Sequence, residues 1–165
     1  MTPAKNKNLD FQYKQMEVTT NVGDLKIDKV KSDEFEAKVN VGDVTISELI
    51  ATSSSVELNV GDVVVRDVSG KMEVVTNTGG IDVSFLELTE DVFFKSNVGD
   101  IKANFQKQPE NVVLDLKSNV GDVTVDGFEG ISNEPGKNYY VELGEGSAPR
   151  IELKTDVGDI DVLVD

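Results

Sequence analysis

The tetrapeptide NVGD occurs five times, beginning at Asn21, Asn40, Asn59, Asn97 and Asn119, and two weaker copies, NTGG at Asn77 and DVGD at Asp156, extend the series. With Gly23, Gly42, Gly61, Gly79, Gly99, Gly121 and Gly158 as markers, the successive spacings are 19, 19, 18, 20, 22 and 37. Such a period constrains the chain more than any single residue does. A unit of this length cannot bury its apolar face alone, whereas a stack of units can. The last spacing is close to twice the others, and YYVELGEG inside it offers a degenerate eighth marker, Gly144, with Glu145 where the other units carry Asp.

Positions five, three and one before each marker are mostly apolar or small, as are positions two and four after it. Around Gly61 these are Val56, Leu58, Val60, Val63 and Val65, and around Gly158 they are Leu153, Thr155, Val157, Ile160 and Val162. Intervening residues such as Glu57, Asn59, Lys154 and Asp156 are polar. Alternation of period two describes strands with one buried face. Each unit therefore reads as strand, glycine turn, strand.

Two architectures fit: an antiparallel meander of hairpins, or a parallel β-helix in which each tetrapeptide is a corner. Val second and Gly third suit a type II turn, whose third residue needs positive φ, whereas two-residue hairpins prefer primed turns with Asn-Gly or Gly first. The β-helix is favoured, an all-β solenoid of about eight coils. It would occupy residues 11–165 as one domain, with residues 1–10 as a tail or cap, NLDFQYKQ covering one end and DVLVD leaving the other rung unpaired.

Composition removes several functions. The 16 basic against 31 acidic residues give a net charge of -15, which repels nucleic acid. The chain has no Cys and no His, which excludes thiolate zinc sites and His-dependent triads. No segment is apolar enough for a membrane-spanning helix.

The phrases TTNVGDLKI, KSNVGDIKA, KSNVGDVTV and KTDVGDIDV resemble the bacterial β-strand-repeat family of adhesin-like, toast-rack domains. The resemblance covers about residues 11–165. It implies a right-handed, single-stranded parallel β-helix without established enzymatic activity. Relatives of the Lia type are linked to cell-envelope stress and often carry a membrane anchor or a helical domain outside the repeat. The resemblance thus places the chain at the cell envelope, extracytoplasmic or membrane-associated through a segment outside these residues, with the cytoplasm as the other location.

Stacking would align Asp24, Asp43, Asp62, Asp100, Asp122, Glu145 and Asp159 along one edge, broken at Gly80. The row either accepts backbone N–H groups or holds Ca²⁺ between coils through oxygen ligands. The first use is the favoured one, and no cofactor is expected. Asn21, Asn40, Asn59, Asn77, Asn97 and Asn119 form a second row suited to an amide ladder.

Outward positions are mostly Lys and Glu, with the exceptions Val64, Val75 and Phe93, and Tyr140 closes the Gly- and Pro-rich segment 127–140. These four mark a candidate partner-binding patch, while Tyr139 falls on an inward position. The expected function is a non-enzymatic scaffold or binding module with a protein or cell-surface partner. The alternative is a structural protein stacking end to end as bactofilin-type helices do. A β-helix lyase is a weak third, because Arg66 and Arg150 are the only guanidinium groups available for an acidic sugar.

Overall fold

The computed structural model describes residues 12–131, 136–145 and 147–164; the expected tail at 1–10 lies outside them. The described residues form fourteen strands in one continuous sheet and no helix. The alternating apolar runs become rungs of two strands joined at the glycine corner. In chain order these are β1 (Tyr13–Val22) with β2 (Leu25–Ile27), β3 (Val30–Val41) with β4 (Val44–Ile46), and β5 (Leu49–Val60) with the first part of β6 (Val63–Thr78). The remainder of β6 then joins β7 (Ile81–Phe85), and β8 (Val92–Val98) joins β9 (Ile101–Phe105).

Up to this point neighbours in sequence are neighbours in space, and every pairing is parallel, which excludes the meander. The order then changes. Next to β8 and β9 lie not β10 (Val112–Val120) and β11 (Val123–Asp126) but β13 (Arg150–Val157) and β14 (Ile160–Val164). Ile151 pairs with Val92 on one side and with Leu114 on the other, and Ile160 sits between Ile101 and Val123. The C-terminal rung is thus intercalated, and Asp161, Val162 and Leu163 of the DVLVD segment are paired on both sides rather than left open.

The segment between Gly121 and Gly158 is not an extra coil. Its strand β12 (Asn138–Leu143) runs antiparallel along the outer edge of β10, with Leu116 opposite Tyr139 and Val112 opposite Leu143. Gly144 is therefore not a corner of the stack. Its backbone lies beside Asn111, whose Oδ1 accepts the Glu145 N–H at 3.1 Å, so Glu145 does not join the Asp row. β12 and the buried Phe128 close this end, while Tyr13, Lys14 and Gln15, expected in a covering segment at the other end, belong to β1.

Inside, like stacks on like. Val44, Val63, Ile81, Ile101, Ile160 and Val123 form one apolar row through the interior, all at most 1% exposed. Burial of one such side chain stabilises the fold by about 1.5–3 kcal/mol. Phe85 stacks on Phe105 at 5.0 Å and on Phe94 at 6.2 Å, and Phe128 meets Phe105 edge-on. A bulky aromatic cluster thus fills the stack where the chain order changes.

Candidate binding face

Each corner is built by its glycine. Gly42 has φ +144°, and a Cβ there would lie 2.2 Å from the Gly23 carbonyl oxygen of the rung below. No side chain fits so close to a backbone atom, and this φ is one that only glycine adopts readily. The value lies well beyond the roughly +80° of a type II turn, so the tetrapeptide is a more extended corner than its residue order suggests. Between rungs the corners are tied by bonds such as Gly23 N–H to Val41 O at 2.9 Å and Leu25 N–H to Asp43 O at 2.8 Å.

The Asp row receives the next rung's backbone. Oδ1 of Asp24 accepts the Asp43 N–H at 3.0 Å, Asp43 that of Asp62 at 2.9 Å, and Asp62 that of Gly80 at 2.7 Å. Beyond the break, Asp100 accepts from Asp159 and Asp159 from Asp122, both at 2.8 Å. Asp122 is therefore the terminal member. Each carboxylate offsets its repulsion from the next by a charge-assisted bond, and among the described residues no three carboxylates converge as a metal cage would require.

The Asn row runs in one direction. Asn40 donates to Asn21 at 3.2 Å, Asn59 to Asn40 at 3.2 Å, Asn77 to Asn59 at 2.7 Å and Asn97 to Asn77 at 3.0 Å. Asn119 donates to Asp156 at 2.8 Å. Asp156 has no donor to pass on, so the chain of amides is interrupted between Asn97 and Asp156.

Three of the four patch residues share one outward sheet face. Lateral pairing lines up Glu17, Glu36, Ser55, Glu73, Phe93, Glu152, Asp115 and Tyr140 in a single row across the strands. Phe93 and Tyr140 lie in this row; Val75 is one row over, beside Lys95. Val64 is on another face, half-buried between Thr45 and Asp82. There Arg66 holds Asp82 through Nη1 at 2.6 Å and Nη2 at 2.8 Å, which lowers the carboxyl below its usual range against the opposing effect of burial.

The upper part of the face carries groups that sequence order conceals. Lys95, Lys154 and Lys117 stand side by side on β8, β13 and β10, and the intercalation sets Lys154 between the other two. Arg150 pairs with Asp115, Lys154 with Glu152, and the Tyr140 hydroxyl donates to Glu142, which holds its proton on above the usual phenol range. With Lys71, Glu73 and Asp91, which also line the groove beside Phe93, this ground sets Lys71, Lys95, Lys117, Lys154 and Arg150 against Glu73, Asp91, Asp115, Glu142, Glu152 and Asp156, close to balance in a chain whose net charge is -15. Two shallow grooves flank this ground, one of about 280 Å³ beside Phe93 and Arg150 and one of about 260 Å³ beside Lys95 and Lys117.

The fold has a counterpart of known structure. A protein of Clostridium sporogenes, described as a putative cell adhesion protein, superposes with a TM-score of 0.52 over 93% of this chain and 94% of its own, at 13% identity. That likeness is one of fold. No curated protein matches the sequence. The Toastrack DUF4097 family model matches residues 5–163, and the chain belongs to that family.

Proposed function

We propose that the chain is a non-enzymatic, adhesin-like binding scaffold of the bacterial cell envelope. In this reading the stack is a right-handed parallel β-helix that holds a flat recognition face on its upper rungs. The observation that carries the proposal is the nearly charge-balanced ground around Phe93 and Tyr140. A partner approaching there meets an aromatic anchor and paired charges instead of the acidic field of the rest of the surface. Aromatic side chains are the usual anchors of protein interfaces.

The reading needs neither catalysis nor a cofactor. The aligned carboxylates accept backbone N–H groups, and the aligned amides bond to one another along the rungs. The family assignment and the adhesion-related structural counterpart agree with a binding role. The test is binding of the labelled chain to isolated envelopes of a Gram-positive bacterium, with Phe93→Ala plus Tyr140→Ala as the comparison. Saturable binding that falls at least tenfold in the double variant is expected. Equal binding by both, or none by the wild type, would remove the assignment.

A further inference from the structure

The near balance of charge on the upper face conceals an uneven arrangement. On the outward side β8 presents Phe93, Lys95 and Asn97, β13 presents Glu152, Lys154 and Asp156, and β10 presents Asp115, Lys117 and Asn119. Lateral pairing turns these into three rows. One holds Phe93 with the two carboxylates Glu152 and Asp115, the next is all lysine, and the last sets Asp156 between two amides. Lys95, Lys154, Lys117, Asn119 and Asp156 line a single open groove of about 260 Å³.

Like charges directly opposite one another on neighbouring strands are destabilising, and little offsets them in the lysine row. Glu152 pairs with Lys154, while Asp115 is held by Arg150. Among the described residues neither Lys95 nor Lys117 forms an ion pair, in a chain with 31 acidic against 16 basic residues. Two ammonium groups without carboxylates thus flank a third at ~4.8 Å per strand. That arrangement suits a ligand carrying its own negative charges in a line along the stack.

The amide row adds a second, different demand. On the lower rungs each Asn receives a donor from the Asn above it. Here Asn97 turns its Nδ2 down to Asn77, and Asn119 gives its own to Asp156, so acceptors alone stand between Asn97 and Asp156. Acceptors facing one another without a donor suit a hydroxyl group supplied from outside. An ammonium group would serve there in isolation, but the lysines beside it repel one. A simple inorganic polyanion has the charges without the hydroxyl, and a neutral glycan has the hydroxyl without the charges.

We infer that the groove binds an acidic polysaccharide, its carboxylates against Lys95, Lys154 and Lys117 and a hydroxyl between Asn97 and Asp156. Phe93, two residues before Lys95 on the same face, offers its ring to the apolar side of a sugar. The inference rests on the upper rungs being a recognition face and names the chemistry recognised there.

Calorimetry of the full chain in low salt tests it, with octasaccharides of galacturonate, of mannuronate, and of alternating glucuronate and N-acetylglucosamine. At least one should bind, tenfold or more tighter than its methyl ester, which keeps the hydroxyls and loses the charge. It should also bind more tightly than a linear polyphosphate of equal charge. Lys95→Gln with Lys117→Gln should weaken the octasaccharide at least tenfold. Asp156→Asn makes the groove more positive and supplies the donor that closes the acceptor pair. Charge alone would tighten both anions alike, so the ratio of octasaccharide to polyphosphate affinity should fall at least fivefold. No binding by any of the three, equal binding of the methyl ester, polyphosphate binding as tightly, or an unchanged ratio in Asp156→Asn each overturns the inference, as does binding that survives loss of both lysines. Envelope binding that depends on Phe93 and Tyr140 in a chain that takes up none of the octasaccharides overturns this inference and leaves the recognition face standing; absence of envelope binding removes that face itself.

Discussion

The Nδ2 of Asn119 donates to Oδ1 of Asp156 at 2.8 Å, although 37 residues separate them in the chain. The pair fixes the order of the upper rungs and marks the one place where the amide row receives a carboxylate. Asp156 lies beside Asn97, whose own Nδ2 is directed down to Asn77, so two acceptors face one another.

Asp156→Asn supplies the missing donor to Asn97 while leaving an oxygen for Asn119. A net gain of about 1 kcal/mol is expected, as for an ordinary hydrogen bond. For a chain of this size that corresponds to a melting temperature ~2–4 °C higher, checked by calorimetry.

Gly80→Asp restores the broken carboxylate row. A Cβ there meets only Asp100 O at 3.4 Å and Asp62 Oδ1 at 3.7 Å, and the new oxygen would accept the Asp100 N–H. The added charge stands between two others, each repelling by ~0.9 kcal/mol in water at rung spacing. The variant should therefore match the wild type in low salt and exceed it by about 1 kcal/mol in 1 M salt, where the screening length is ~3 Å. Gly79→Ala offers the contrast: its Cβ would lie 1.9 Å from Gly61 O, and a loss of more than ~3 kcal/mol is expected in urea titrations.

Arg66→Met tests the pair on the other face. Both side chains remain more than a third exposed, so the loss near neutrality should be at most ~1 kcal/mol. The Arg66 guanidinium lowers the folded Asp82 carboxyl, so the pair's contribution is present above the unfolded value of about 3.9 and fades as pH falls through the lower folded value. Urea midpoints of variant and wild type should differ at pH 7 and draw together as pH falls below the unfolded value.

Thr76 is fully buried, and its hydroxyl has no partner. Its equivalents Ser96, Thr155 and Ser118 each donate to the glycine carbonyl of the neighbouring rung, Thr155 to Gly99 at 2.9 Å. Thr76→Val should accordingly stabilise by ~0.5–1.5 kcal/mol, whereas Thr155→Val should destabilise by a similar amount by stranding a carbonyl. Melting temperatures of the two variants should move in opposite directions.

The strands, their inward residues and their corners were legible because period two around a recurring glycine leaves little freedom. The order of the rungs was not. Leu116 with Ser118 and Leu153 with Thr155 present nearly the same edge, so the repeat itself cannot say which rung follows β8. The spacing of 22 before Gly121 carried the only hint, being long enough for the chain to step over one rung. β12 was misread because its alternation is genuine; the direction of a strand leaves no mark on its side-chain pattern. Lys95, Lys117 and Lys154 all stand four residues before their glycines, so a lysine row was legible and only the place of Lys154 within it was not, while Phe93, Val75 and Tyr140 stood out as apolar residues at outward positions.

The intercalated rung also bears on synthesis. β13 and β14 are made after every strand they separate, so a nascent chain can stack its first five rungs in order and must then leave a gap one rung wide, with β10 to β12 waiting on its far side. Closure of the core coincides with completion of the domain. A product cut short before Arg150 would lack the rung that pairs with both β8 and β10, and so would leave both of those edges unpaired.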